Sequence, residues 1–465
     1  MTHSTQFEKN YPIDVFIFAS PVYWPDETKR KELFKKVCNE LNLQTEYCNI
    51  NYFDSCDSLN IATNNSDIPC IVIALSGGVQ PWMLRMTEHR KHIAIYNAYL
   101  PDSLLSNLSG DLLHANAHPS STDFFAYNKI RNKDIQWLSN TEELIDYGVA
   151  WNAASRLKNA KIIKIGETEP WVINSCRSPE AISCNIGTKI ETIERRVLYD
   201  YYHNITNEDA KDEADRWLAT KPELANVDSN DITKACRVTV AMHKLLAEHQ
   251  ADGLSMACFS MIGDIDTTSC LALSALNDSA KSIGACEGDL DAAVTLFLLK
   301  AMNADFVWIA NPIIHPNNAI DFAHCTAPTC MGLKKLNYKL LRHHESGKGV
   351  APEVVLPDAL TATVARISMN TKQLVAHTGI TQKQSKLPAC HTQIRFLVKS
   401  TQDVLDHLLG THFVLSYGDF YDQINRVASF IDFQFHGSKH NSNEQLTSQF
   451  SNLSDRLFSA NRWHS

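Results

Sequence analysis

Glycine and proline are scarce, 17 and 16 among 465 residues, which excludes a fibrous or low-complexity chain. No basic run offsets the 43 Lys+Arg against 52 Asp+Glu, and a net charge of −9 repels a phosphate backbone. Nucleic acid is therefore not an expected partner. No stretch approaches the ~18 uninterrupted apolar residues of a membrane span. The first residues, Met1 to Asn10, lack the cationic and then apolar layout of a signal peptide. A cytoplasmic protein with no membrane partner is expected. The thirteen cysteines form no CxxC pair and sit at irregular spacings, several within apolar runs as Cys258 does. They read as reduced, buried thiols and not as a disulfide framework. There is no GxGxxG either, so Ser76-Gly77-Gly78 after a strand reads as a turn before it reads as a nucleotide site.

What is present is 44% hydrophobic residues in a chain long enough for two to four domains at roughly 100–200 residues each. Short apolar runs at 13–19, 70–75 and 92–96, separated by helical patterns such as 29–41, are what a parallel sheet buried on both faces requires. Residues 1–158 are thus expected to form a doubly wound α/β domain. A second α/β domain, residues 159–330, opens on the run 161–166. It includes a helix whose Ile232, Ala235, Val238, Met242, Leu245 and Leu246 recur at three- and four-residue steps. From 331 to 465 the period changes to two: Ala365, Ile367 and Met369 alternate with polar neighbours, as do Ile394, Phe396 and Val398. A mainly antiparallel β domain is expected there, with a polar tail from Gly437.

The segment Cys286-Glu287-Gly288-Asp289 ends one apolar run and precedes a helical pattern over 290–302, after which Phe306 to Asn311 reads as the next buried strand. As a βαβ unit this would place Glu287 and Asn311 at the carboxyl ends of parallel strands, where open α/β sheets hold ligands. Asp289 reads as a helix cap, a role worth up to ~2 kcal/mol. Two further strands carry histidines, His324 ahead of Cys325 and His412 after Thr411. A single strand histidine is more often a hydrogen-bonded core residue than a ligand. Together, Glu287, His324 and His412 offer the mixed oxygen and imidazole set that suits Mn²⁺, Co²⁺ or Fe²⁺.

These motifs, Cys286-Glu287-Gly288-Asp289, Ala310-Asn311-Pro312, His324-Cys325 and Thr411-His412, resemble in their order over about residues 253–420 the L-fucose isomerase and L-arabinose isomerase superfamily. That resemblance implies two Rossmann-like domains followed by a β-rich domain. It also implies a metal-dependent aldose–ketose isomerase working through an enediolate, with manganese as the first choice of metal. By the same resemblance Glu287 is metal ligand and acid/base, His324 and His412 are ligands, and Asn311 stands where a second acidic ligand and partner carboxylate is the rule. An amide coordinates but cannot accept a proton, so Asp321 or a water would have to stand in. If neither does, the protein is a sugar-binding or regulatory relative; a sugar epimerase would use the same intermediate. Glu345 and Lys348, in the loop 343–349, and Arg366 are the candidate substrate contacts. The resemblance further implies a homo-oligomer, trimer or hexamer, with a small-molecule sugar as ligand.

Overall fold

The computed structural model describes residues 5–41, 43, 47–60, 67–98 and 109–440. It is a mixed α/β protein with two parallel sheets and a mainly antiparallel one. The chain divides into two compact units, Gln6–Asn159 with Asp422–Phe433, and the remainder from Ala160. Most of the expected polar tail lies outside the described residues.

In the first unit, β1 (Ile13–Phe18), β2 (Cys48–Phe53), β3 (Cys70–Ala74), β4 (His92–Tyr96) and β5 (Asp134–Leu138) form a parallel sheet in the order β2-β1-β3-β4-β5. Its middle strands are buried along their whole length because helices cover both faces, which is why they read as unbroken apolar runs.

The second unit opens with β6 (Lys161–Ile165), β7 (Lys189–Ile193), the short β8 (Glu223–Ala225), β9 (Gly253–Met256) and β10 (Ile283–Cys286). Four of these form the second parallel sheet, in the order β10-β9-β6-β7. The helix Leu290–Ala301 follows β10 and is buried on every side, packing on β9 and β10 and also on strands of the next sheet.

That next sheet is built from β11 (Trp308–His315) and β12 (Ala319–His324), then from strands beyond four short ones. The short strands are β13 (Cys330–Met331), paired with β14 (Lys334–Lys335), and β15 (Tyr338–Leu341), which together with β16 (Ala351–Val354) joins β8. The remaining strands are β17 (Thr361–Ser368), β18 (Gln373–Gln382), β19 (Thr392–Val398), β20 (Phe413–Tyr417) and β21 (Gln434–Ser438). They run in the order β17-β20-β11-β12-β19-β18-β21, and β17 also pairs with β18, so six of the strands close into a barrel. Closure leaves those six no open edge. Trp308, Phe322, Val364, Phe396, Phe413 and Leu415 fill its core.

The strand after the helix Leu290–Ala301 does not return to the parallel sheet: β11 pairs antiparallel with β12 and β20. Glu287 and Asn311 are therefore not at the carboxyl ends of neighbouring parallel strands. A strand covered on both faces is apolar throughout, so its composition carries no information about its direction.

Candidate active site

β10 ends at Cys286, and the next two residues, Glu287 and Gly288, both take left-handed backbone, with φ of 61° and 65°. For a glutamate this costs ~1–3 kcal/mol and persists only where the surroundings impose it. Glu287 O accepts from Glu169 N at 2.9 Å, and Gly288 N donates to Met256 O at 3.0 Å. The Thr168 hydroxyl donates to Gly288 O at 2.9 Å. Gly288 cannot be replaced cheaply, since a Cβ there would stand 2.9 Å from Thr168 Cα. The turn is thus clamped against the segment after β6, which also supplies Trp171, whose Nε1 donates to Glu287 Oε2 at 2.8 Å.

His412 precedes β20, and its Nδ1 donates to Asp289 Oδ2 at 2.9 Å. A carboxylate can only accept, so Nδ1 carries a proton and Nε2 is the nitrogen left to meet a ligand. That Nε2 is buried without a hydrogen-bond partner among the described residues and lies 3.8 Å from Glu287 Oε2. His324, the last residue of β12, stands edge-on to His412 with ring centroids 5.6 Å apart. The Thr326 hydroxyl lies 3.1 Å from its Nδ1. One ligand atom from each of Glu287, His324 and His412 lies within 4.8 Å of the others, and all three residues are buried.

The electrostatics agree with a cation site. Burial, and then the neighbouring imidazoles of His412 and His343, hold His324 well below the ordinary histidine range, so that it is neutral and its lone pair is free. Burial also raises the Glu287 carboxyl, against the pull of His412 and of the Trp171 N–H. Burial would raise Asp289 as well, but Arg366, His412 and Ser175 outweigh it and hold that carboxyl below its usual range. A carboxylate and two imidazoles, one of them with an unpartnered ring nitrogen, are a donor set that a divalent ion fits.

Asn311 lies on β11, in register with Ala323, and its amide oxygen accepts from the Thr411 hydroxyl at 3.2 Å. It is therefore tied to the residue preceding His412. Asp321 is spoken for: Arg395 donates to both its oxygens at 2.7 and 2.9 Å, and His315 lies 2.8 Å away. Lys348 is exposed and paired with Asp266 at 2.7 Å, and Glu345 is exposed. Arg366 is buried, bonded through Nη1 to Asp289 at 3.1 Å and to His412 O at 2.7 Å, with Nη2 unpartnered among the described residues. Arg366 is also among the residues lining a cleft of about 410 Å³, with Trp171, Ser175, Pro312, Ile314 and Thr411. That size is within the ~300–1,000 Å³ usual for small-molecule sites.

Sequence reasoning missed Asp289's second role. It does cap its helix, Oδ1 accepting from Ala292 N at 2.8 Å, but Oδ2 fixes the tautomer of His412 across 123 residues of chain. Trp171 and Ser175 were missed too, the latter donating to Asp289 Oδ1 at 2.7 Å. Neither carries a local sequence signal beyond being polar-tipped residues after a strand.

No protein-family model matches the chain. It is similar to a sulfoquinovose isomerase of Alkalicoccus urumqiensis, 26% identical over 232 residues, and that stretch is 48% of this chain. The match likewise spans about half, 48%, of the relative's own length. No helix among the described residues is long and apolar enough to cross a membrane.

Proposed function

We propose that this protein is a divalent-metal-dependent aldose–ketose isomerase acting on a sugar. The observation that carries the reading is His412 Nε2, on a ring oriented by Asp289, buried, unpartnered among the described residues and 3.8 Å from Glu287 Oε2. The name of the similar protein, a sulfoquinovose isomerase, supports the same reaction class. Glu287, His324 and His412 would hold the ion, for which manganese suits the hard-to-intermediate donors. When bound, it supplies Lewis-acid polarisation of the sugar carbonyl.

The residues do the rest. Glu287, raised by burial, is poised to take a proton from one carbon of the sugar and return it to the next. Trp171 orients its Oε2, and the left-handed turn fixes the carboxylate in place before substrate arrives. The cleft beside Arg366 and Trp171 accommodates the sugar. Glu345 and Lys348 are outer contacts in this reading, which also includes a cytoplasmic homo-oligomer.

Asn311 favours a second reading, a sugar-binding or regulatory protein, because its amide removes the partner base; an epimerase would share the enediolate but return the proton to the carbon it left, on the opposite face. The test is metal analysis coupled to a panel of aldoses and ketoses, sulfoquinovose among them, assayed in heavy water. Interconversion with deuterium appearing at C2 is expected. A bound sugar showing no exchange in the metal-loaded wild type would sink the isomerase in favour of the binder, and exchange restored by Asn311→Asp would locate the loss.

A further inference from the structure

The position after His324 is occupied by a different chemistry. Cys325 Sγ lies 3.4 Å from Cys270 Sγ, and one ligand atom from each of Cys270, Cys325 and His343 lies within 4.8 Å of the others. All three residues are buried, and Cys390 packs against the same cluster. The cysteines are free thiols.

Three separate elements hold them together. Cys325 follows β12, and Cys270 is the first residue of the helix Cys270–Asp278, whose positive end favours a thiolate. His343 arrives on the loop after β15, and that loop is seated by Gly349, whose φ is +56° and whose Cβ, if it had one, would meet Thr268 N at 2.6 Å. Thr268 clasps the next residue, its hydroxyl donating to Val350 O at 2.9 Å and accepting from Val350 N at 3.2 Å. Ser346 seats the imidazole: its backbone N–H donates to His343 Nδ1 at 3.4 Å, and its hydroxyl lies 3.0 Å from the same nitrogen.

We propose that Cys270, Cys325 and His343 form a second metal site, selective for a soft, tetrahedral cation of the Zn²⁺ class, with Cys390 or a water in the fourth position. Two thiolates and an imidazole are a zinc-type set, whereas the oxygen and two nitrogens of Glu287, His324 and His412 are not. Two chemically distinct sites would then share β12, one taking His324 and the other Cys325. Binding releases the two thiol protons to solvent and changes no oxidation state.

The experiment is a Co²⁺ titration of the full chain, stripped with chelator and kept reduced. A sulfur-to-cobalt charge-transfer band saturating at one equivalent and bleached by Zn²⁺ is expected. Cys270→Ser and Cys325→Ser should each remove it, and Glu287→Gln should leave it unchanged, which separates this site from the isomerase centre. Should Cys325→Ser fail to fold, Cys270→Ala and His343→Ala report on the same band. A folded wild type with no such band, or a band that survives loss of both thiols, overturns the proposal.

Discussion

Each unit of the molecule has an arginine and an aspartate that are both buried and face one another, and these two pairs sit at opposite ends of their strands. In the first unit Asp14, second residue of β1 and so at its amino end, meets Arg90 Nη2 at 2.6 Å and accepts from Asn49 at 2.9 Å. Arg90 Nη1 donates to Ile68 O at 2.7 Å. In the second unit Asp289 lies just past the carboxyl end of β10, and beside Arg366 it binds an imidazole whose other nitrogen faces Glu287. The charges are alike. What differs is that the second pair's aspartate has an oxygen turned to a ring whose other nitrogen is left to meet a ligand, and that is what makes an ion pair part of a site. Both parallel sheets offer a carboxyl edge, so topology alone does not choose between them.

The largest effect is expected where the comparison has no counterpart in the first unit. Glu287→Gln keeps the size and hydrogen bonding of the side chain but cannot shuttle a proton, and it should lower turnover by ~10²–10⁴-fold. Thermal stability should hold or improve, since the buried carboxyl is replaced by a neutral amide. Sugar interconversion and melting, measured on one preparation, check both halves; a variant with wild-type turnover removes Glu287 from the mechanism.

Next comes the pair itself. Asp14→Asn and Asp289→Asn each leave an arginine buried without its counter-charge, and each should cost ~3–5 kcal/mol in denaturant unfolding. Only Asp289→Asn should weaken metal binding, by ~10–100-fold, because the tautomer of His412 is then no longer fixed. Equal losses of metal affinity in the two variants would mean that Asp289 acts through stability alone.

The contrast also marks how far the sequence could be read. Alternation along 392–398 exposed an antiparallel strand, because Ile394, Phe396 and Val398 pack in the barrel core and the residues between them are only partly buried; along 361–368 both faces are buried, Ala362 and Val364 in that core and the alternating Ala365 and Ile367 on the other face. The apolar runs of β1, β3 and β4 announced a parallel sheet for the opposite reason. The order of Glu287, His324 and His412 was legible and the structure brings them together. The direction of β11 was not, nor was the bond between Asp289 and His412, since long-range pairing leaves no local pattern. The cysteines were read as inert one by one; only the fold shows which of them share a neighbourhood.

A third buried aspartate sharpens the comparison with the smallest effect. Asp291, two residues beyond Asp289, has no direct ion pair among the described residues; it accepts only from Cys176 N at 3.2 Å and Met369 N at 3.4 Å. Burial pushes its carboxyl up to about 7, with Arg366 opposing and the charge of Asp289 adding to the rise. In the unfolded chain the same group loses its proton near ~3.9. Between these two values the folded state holds the extra proton, so its contribution to stability falls as pH rises through the window. Asp291→Asn is neutral throughout and should lose less stability over that range, by ~1–3 kcal/mol, in unfolding measured at a series of pH values. At acid pH, where the native carboxyl is protonated, the two proteins should nearly coincide. Parallel curves for wild type and variant would show that Asp291 is ionised in the folded protein, and that two backbone N–H groups do for this carboxylate what an arginine does for Asp14 and Asp289.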